Sequence, residues 1–128
     1  MDKAYKPAGY NSVSPYFIVD GAQKLIDFLV QLFDGKELRK YKREDGTIMH
    51  AEVKIDDSIV MISDANEEYP PVTIIMHVYV PDVNTTYIKA LKLGASELQK
   101  PKNNEGDPDN RGTFLDFAGN MWSVSTQM

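Results

Sequence analysis

The sequence predicts an α+β fold assembled from two βαβββ modules. Three observations carry that reading. Apolar periodicity passes twice from extended to helical spacing and back. Asp-Gly and Asp-Asp turn signals separate short runs rich in β-branched and aromatic residues. A weak internal repeat aligns VDGAQKLIDFLVQLFDGKEL with VPDVNTTYIKALKLGASEL, each running strand, acidic cap, helix, glycine and a Glu-Leu that opens the next strand.

The elements follow in order. Residues 1–12 are polar, carry Pro7 and Gly9, and read as an arm. Val13 to Val19 reads as a strand, with Pro15 near its start. Asp20, with Gln23 three residues on, is the candidate N-cap of a helix whose Leu25, Phe28, Leu29 and Leu32 form one apolar face; Gly35 is its expected stop. Glu37 to Arg43, a turn at Asp45-Gly46, Ile48 to Ile55, a turn at Asp56 to Ser58 and Ile59 to Ile62 complete the first module. The acidic, Pro-ended stretch Asp64 to Pro71 reads as a linker or loop, with Asp64 to Glu68 solvated. Thr73 to Val80 is the next strand, and Pro81-Asp82 opens a helix with Val83, Tyr87, Ala90 and Leu91 on one face and Gly94 beyond it. Ala95 to Lys100 is a short strand. Pro101 to Asn110 reads as a mobile polar loop, and Arg111 to Phe117 and Met121 to Thr126 form a hairpin. The expected organisation is an arm over 1–12 and one domain over 13–128, with modules 13–64 and 72–127 joined by linker 65–71. Modules of about sixty residues are marginal alone and should pack together or exchange between chains.

Composition bounds the function. The chain has 128 residues, 14 basic and 19 acidic, for a formal charge of −5. A phosphate backbone or an anionic membrane would be repelled, so neither nucleic acid nor membrane is an expected partner. Cysteine is absent, which removes disulfide frameworks, zinc ribbons, iron–sulfur clusters and thiol nucleophiles and suits a cytoplasmic location. The start MDKAYKPAGY has no apolar core of signal-peptide length, and no stretch approaches the ~18 apolar residues of a membrane span. Phosphate-loop, dinucleotide, HExxH and EF-hand patterns are absent; DPDNRG lacks the ligand spacing of a calcium loop.

The strings SPYFIVDGA, IDFLVQLFDGKEL, DGTIMHAEVKIDDSIVMISDA, HVYVPDV and RGTFLDFAGNMWSVSTQ, in this order and spacing, resemble the vicinal oxygen chelate superfamily of glyoxalase I, bleomycin-resistance proteins and extradiol dioxygenases, and within it the PhnB-like branch. The resemblance spans roughly residues 12 to 127. It implies curved, mostly antiparallel sheets around a trough with helices outside, a small ligand in the trough, and a homodimer. Metal-using members draw one ligand each from the first, fourth, fifth and eighth strands. By the flanking landmarks those positions fall on Ser14, Met61, Ile75 and Ser123, none a His, Glu or Asp. The resemblance thus implies a member without the usual metal set, with no cofactor expected.

Two histidines remain, His50 and His77, one on a predicted strand of each module. His77 shares a strand face with Ile75, and Tyr16 shares one with Ser14. Met61, Ser63, Ser123 and Ser125 neighbour them by alternation. The candidate ligand-binding set is Ser14, Tyr16, His50, Met61, Ser63, His77 and Ser123. The histidines could form an acid–base pair or, with Glu52 or Asp64, a displaced metal site; equally, each could be a satisfied polar group on a half-buried strand. Arg111 could clamp an anion or pair with Asp116 or another acid, and Trp122, facing opposite to Ser123, should pack structurally. The leading expectation is a protein that binds a small molecule of unidentified structure, sequestering it or acting on it without metal. A metal-dependent lyase or isomerase using His50 and His77, and an interaction protein with a closed trough, are the alternatives.

Overall fold

The computed structural model describes residues 4–128; residues 1–3 of the expected arm lie outside the described residues. The chain divides into two compact units, Met1–Pro70 and Pro71–Met128. Each holds one helix and one four-stranded mixed sheet, so the α+β class and the repeated βαβββ order are both present. Among the described residues no helix is long and apolar enough to cross a membrane.

The first unit runs β1 (Tyr16–Val19), α1 (Ala22–Phe33), β2 (Lys36–Lys42), β3 (Ile48–Ile55) and β4 (Ser58–Asp64), with sheet order β1-β4-β3-β2. Only β1–β4 is parallel. Alternation sorts the two faces. Phe17, Val19, Ala51, Val53, Val60 and Ile62 are buried on the face that receives α1, whose Leu25, Ile26, Leu29 and Leu32 are buried in turn. Each of these side chains larger than Ala51 contributes roughly 1.5–3 kcal/mol by leaving water. The opposite face carries Tyr16, Ile18, His50, Glu52, Met61 and Ser63.

Both ends of α1 differ from the sequence expectation. Asp20 does not cap it. Gly21 is the N-cap residue, at φ 94°, with no side-chain cap of its own. The cap comes from β4: Asp64 Oδ1 accepts from the Gly21 and Ala22 amides at 3.2 and 2.8 Å, and Asp64 Oδ2 accepts from the Ile48 amide at 2.7 Å. Asp64 is therefore a structural carboxylate at a strand end, not part of a solvated linker. At the other end Asp34, not Gly35, takes the left-handed position, at φ 53°. Gly35 is required for a different reason: a Cβ there would stand 2.9 Å from Val53 Cγ1.

The second unit runs β5 (Ile75–Tyr79), α2 (Val83–Lys92), β6 (Ser96–Lys102), β7 (Asp109–Leu115) and β8 (Met121–Gln127), ordered β5-β8-β7-β6 with β5–β8 parallel. Asp82 caps α2 as its sequence suggests, accepting from the Asn84 and Thr85 amides at 3.0 and 3.2 Å. Val83, Tyr87 and Ala90 are buried, as are Phe114, Trp122 and Val124. Burial first, and then the bond to Glu97, push the Tyr87 phenol up to about 12. Trp122 is structural: its Nε1–H donates to Asp116 Oδ2 at 2.9 Å. Asp116 also receives the Ala118 and Asn120 amides, so the acid paired with Arg111 is not Asp116 but Asp107, at 3.0 Å, with Asp109 further off. The expected loop at 101–110 is shorter. β6 continues to Lys102 and β7 begins at Asp109, because β6 is an edge strand whose largely exposed faces need no apolar alternation. Asn103 Nδ2 closes the remaining turn onto the carbonyls of Asp107 and Asp109.

Replacing Asp64 by Ala strips three backbone donors of a charged acceptor. Asp64→Ala should cost about 2 kcal/mol or more and lower the unfolding midpoint by roughly 6–10 °C. Asp64→Asn, which keeps one oxygen acceptor, should lose less; thermal unfolding followed by circular dichroism compares the three.

Candidate functional site

The open face of the first sheet builds a hydrogen-bonded line of side chains. Its anchor is Glu52, on β3 and only 2% exposed. Glu52 Oε1 accepts from the Tyr10 hydroxyl, and Glu52 Oε2 lies 2.8 Å from His50 Nε2. The other ring nitrogen, His50 Nδ1, lies 3.0 Å from the Tyr16 hydroxyl on β1. Alternation places Glu52 and His50 on one face of β3, two residues apart. Tyr41, paired with His50 across β2–β3, stacks on its ring at 6.4 Å between centroids. Arg39 lies over the Tyr10 ring at 5.2 Å.

The protons can be placed from this network. An ionised carboxylate only accepts, so His50 Nε2 carries the hydrogen that Glu52 receives. In the neutral ring Nδ1 is then an acceptor, and Tyr16 donates to it. Burial works to raise the Glu52 carboxyl, but the bonds from Tyr10 and His50, and then the electrostatic pull of His50 and of Arg39, outweigh it and hold Glu52 below its ordinary value. The bond to Glu52 pushes the Tyr10 phenol up.

Beside this line lies a cleft of about 520 Å³ lined by Tyr16, Ile18, Arg43, Met49, Ser63, Asn66, Glu68 and Tyr69. Tyr16 is 41% exposed and joins the two features. Arg43 is half-buried, donating to Thr47 Oγ1 and to the Asp64 carbonyl, each at 3.1 Å. Asn66 and Tyr69 are held by a local turn, with the Asn66 amide donating to the Tyr69 carbonyl and the Tyr69 amide to Asn66 Oδ1.

Four of the residues expected at a ligand site meet on this face. Tyr16 pairs with Met61 across β1–β4, Ser63 lines the cleft and His50 adjoins it. Ser14 precedes β1; its Oγ is shielded from solvent and has no hydrogen-bond partner among the described residues. His77 and Ser123 are opposed in the second unit, where His77 Nε2 lies 3.0 Å from Ser125 Oγ. There Tyr79 donates to Asp109 at 2.8 Å, a bond that raises its phenol, while the bond from Arg111 lowers Asp107. Among the described residues no three His, Cys, Asp or Glu side chains are grouped to hold a metal ion. In the set proposed around His50, both ring nitrogens and the Asp64 carboxylate have protein partners.

The sequence reading missed Tyr10, Ile18, Arg43, Met49, Asn66, Glu68 and Tyr69. Tyr10 lies in a polar arm with no periodicity. The acidic run to Glu68 looks like a solvated linker until its turn folds back. The one available signal was Asn66 three residues before Tyr69, a spacing that suits an Asn side chain capping a local turn.

Glu52 is more acidic in the folded protein than in the unfolded chain. Its stabilising contribution is therefore complete above its unfolded value and is lost as pH falls through the lowered folded one. Glu52→Gln should flatten the acid limb of the unfolding midpoint against pH. Tyr10→Phe, which removes one lowering bond, should move that limb to higher pH. An unchanged limb in both variants would refute the assignment.

No protein-family model matches the chain. The uncharacterized protein Mb0911c of Mycobacterium bovis is 31% identical over 126 residues, covering 88% of this chain and 81% of its own length. Among solved structures, the PhnB protein of Bacillus cereus superposes with a TM-score of 0.73 at 16% identity, over 91% of this chain and 99% of its own. A glyoxalase/bleomycin resistance protein/dioxygenase family enzyme of Burkholderia phytofirmans gives 0.72 at 13% identity, over 88% and 95%. The chain therefore belongs to one family with the mycobacterial protein and has the glyoxalase/bleomycin-resistance fold of the vicinal oxygen chelate superfamily.

Proposed function

We propose that this protein binds a small organic molecule in the cleft of its first unit, and sequesters it or acts on it without metal. The observation that supports this best is the cleft itself. About 520 Å³ lies inside the range of roughly 300–1,000 Å³ typical of small-molecule sites. Its walls combine two aromatic rings, Tyr16 and Tyr69, with apolar Ile18 and Met49 and a few polar anchors in Ser63, Asn66 and Arg43. Apolar burial would supply affinity and the polar groups orientation. The fold likeness to a bleomycin-resistance family enzyme agrees with ligand binding in this architecture.

The reading includes a homodimer. On β5, Ile75 and Tyr79 are 74% and 62% exposed, and Ile75 is in register with half-buried Met121 and Leu115. An apolar row on an open sheet face is what a second copy would cover. A chain without cysteine suits the cytoplasm.

A thermal-shift screen of metabolite-like compounds, followed by calorimetry, tests the binding reading. Hits should bind Tyr69→Ala about 3- to 10-fold more weakly, the loss expected of one aromatic contact. Equal affinity in Tyr69→Ala and Arg43→Gln, or no hit at all, would refute it. Light scattering on wild type and Ile75→Asp tests the dimer: a monomeric wild type would refute it, and a monomeric variant of a dimeric wild type is the expected result.

A further inference from the structure

We propose that a second cleft, between the N-terminal arm and the edge strand β2, binds the phosphate group of a small phosphorylated molecule through Lys6 and Arg39. This cleft shares no lining residue with the one described above, so the inference stands apart from the ligand reading of that site.

The charge pattern points there first. The chain carries a net −5, yet residues 36–43 hold five of its 14 basic side chains against the single acid Glu37. They lie on β2 and just beyond it, at the edge of the first sheet. Lysines on an edge also guard a sheet against pairing with other chains. Lys40 is committed locally, in an ion pair with Glu37 at 2.9 Å and a bond to Gln23.

Arg39 is placed differently. Its guanidinium lies over the Tyr10 ring, 5.2 Å from the centroid, and the Tyr10 hydroxyl is tied to buried Glu52. A ring face supports a cation without consuming its N–H groups. Among the described residues Arg39 makes no hydrogen bond and no ion pair, so its planar fork of donors is open. Glu52 feels the charge of Arg39, but it accepts from Tyr10 and His50 and does not line the cleft.

The arm brings the second cation. Lys6 Nζ donates to Ser12 Oγ at 3.0 Å and stands 5.7 Å from the Tyr5 ring centroid. Both contacts steer the ammonium and neither neutralises it. Lys6 and Arg39 line one cleft of about 450 Å³ with Ala4, Tyr5 and Pro7, and no carboxylate is among these residues.

The donor set selects the ligand. Guanidinium and ammonium groups donate and cannot accept, so the site favours an anion that has acceptors only. A phosphate monoester is close to a dianion at neutral pH and offers three strong acceptor oxygens. It meets the Arg fork bidentately while Lys supplies a point charge. A carboxylate brings less charge and fewer oxygens. The cleft has room beyond the phosphate, and the Tyr5 ring, 88% exposed, offers a face to the rest of the molecule.

The probe is methyl phosphate at pH 7.5 and low salt, followed by amide NMR shifts, with methanesulfonate as a monoanion of similar shape. Shifts should concentrate in residues 4–12 and β2, and methyl phosphate should bind about 3- to 5-fold more tightly than methanesulfonate. Arg39→Gln should weaken methyl phosphate about tenfold or more, and Lys6→Gln about 2- to 5-fold. Arg39→Lys keeps the charge without the fork and should fall between wild type and Arg39→Gln; it carries the test if Arg39→Gln does not fold. Glucose 6-phosphate should displace methyl phosphate from the same amides. No shift in the arm or β2, or wild-type affinity in Arg39→Gln, would overturn the proposal. An equal loss in Lys92→Gln would reduce it to diffuse attraction and overturn it too. So would a loss confined to Arg43→Gln, which would put the anion in the first cleft. Failure of glucose 6-phosphate to compete would overturn the assignment to phosphorylated molecules.

Discussion

The Asp64 carboxylate is the point on which the first unit is organised. Parallel pairing sets Val19 opposite Asp64, so the end of β4 lies where the chain leaves β1 for α1. A carboxylate at that position meets the unsatisfied amides of a helix start, which favour negative charge. It takes two of them and the first amide of β3. Its own carbonyl then receives Arg43. One residue thus fixes the entry of the helix, the start of the central strand and a charged wall of the cleft. Gly21 at positive φ is part of the same device, since a tight exit from β1 is what brings both amides to one oxygen.

The second unit solves the same problem with different groups. Its helix is capped locally by Asp82, and its buried carboxylate, Asp116, ties the β7–β8 turn to Trp122. Asn120 carries the connection on to the Ile74 amide at the start of β5. Both units therefore join the parallel strand to its neighbours through a polar side chain at a strand end or turn. Their open faces diverge. The first carries a carboxylate–imidazole–phenol line beside a cleft; the second carries Ile75, His77 and Tyr79 in a row, with Tyr79 committed to Asp109. A buried carboxylate such as Glu52 is costly unless its oxygens are satisfied. Tyr10 and His50 satisfy them.

Much of this was legible in the residues. The helical spacing of Leu25, Phe28, Leu29 and Leu32, the Asp45-Gly46 turn, the Asp82 cap and the inward facing of Trp122 are local patterns, and short-range sterics and hydrogen bonding decide them. Tyr16, Met61 and Ser63 fall on one face by strict strand alternation, with the phase set by the positions the family resemblance implies; His50 was a candidate by residue type and strand. What failed to show were effects with partners distant in sequence. Asp20 had every local credential for a cap, yet Asp64 holds the position. Gly35 looked like a helix stop, yet its missing side chain serves Val53. The edge strand β6 had no alternation to read because its two faces are largely open to solvent.

The sequence by itself determined the class of fold, the order of its elements and which residues could share a face, because period and turn chemistry are properties of neighbouring residues. Tertiary structure alone decided that Glu52, His50 and Tyr16 stand in a line, that Tyr10 closes it, and that a turn after β4 brings Asn66 and Tyr69 into the lining of one cleft with Arg43. Those contacts join residues tens of positions apart. Strand register and packing bring them together, and no local pattern records the distance between them.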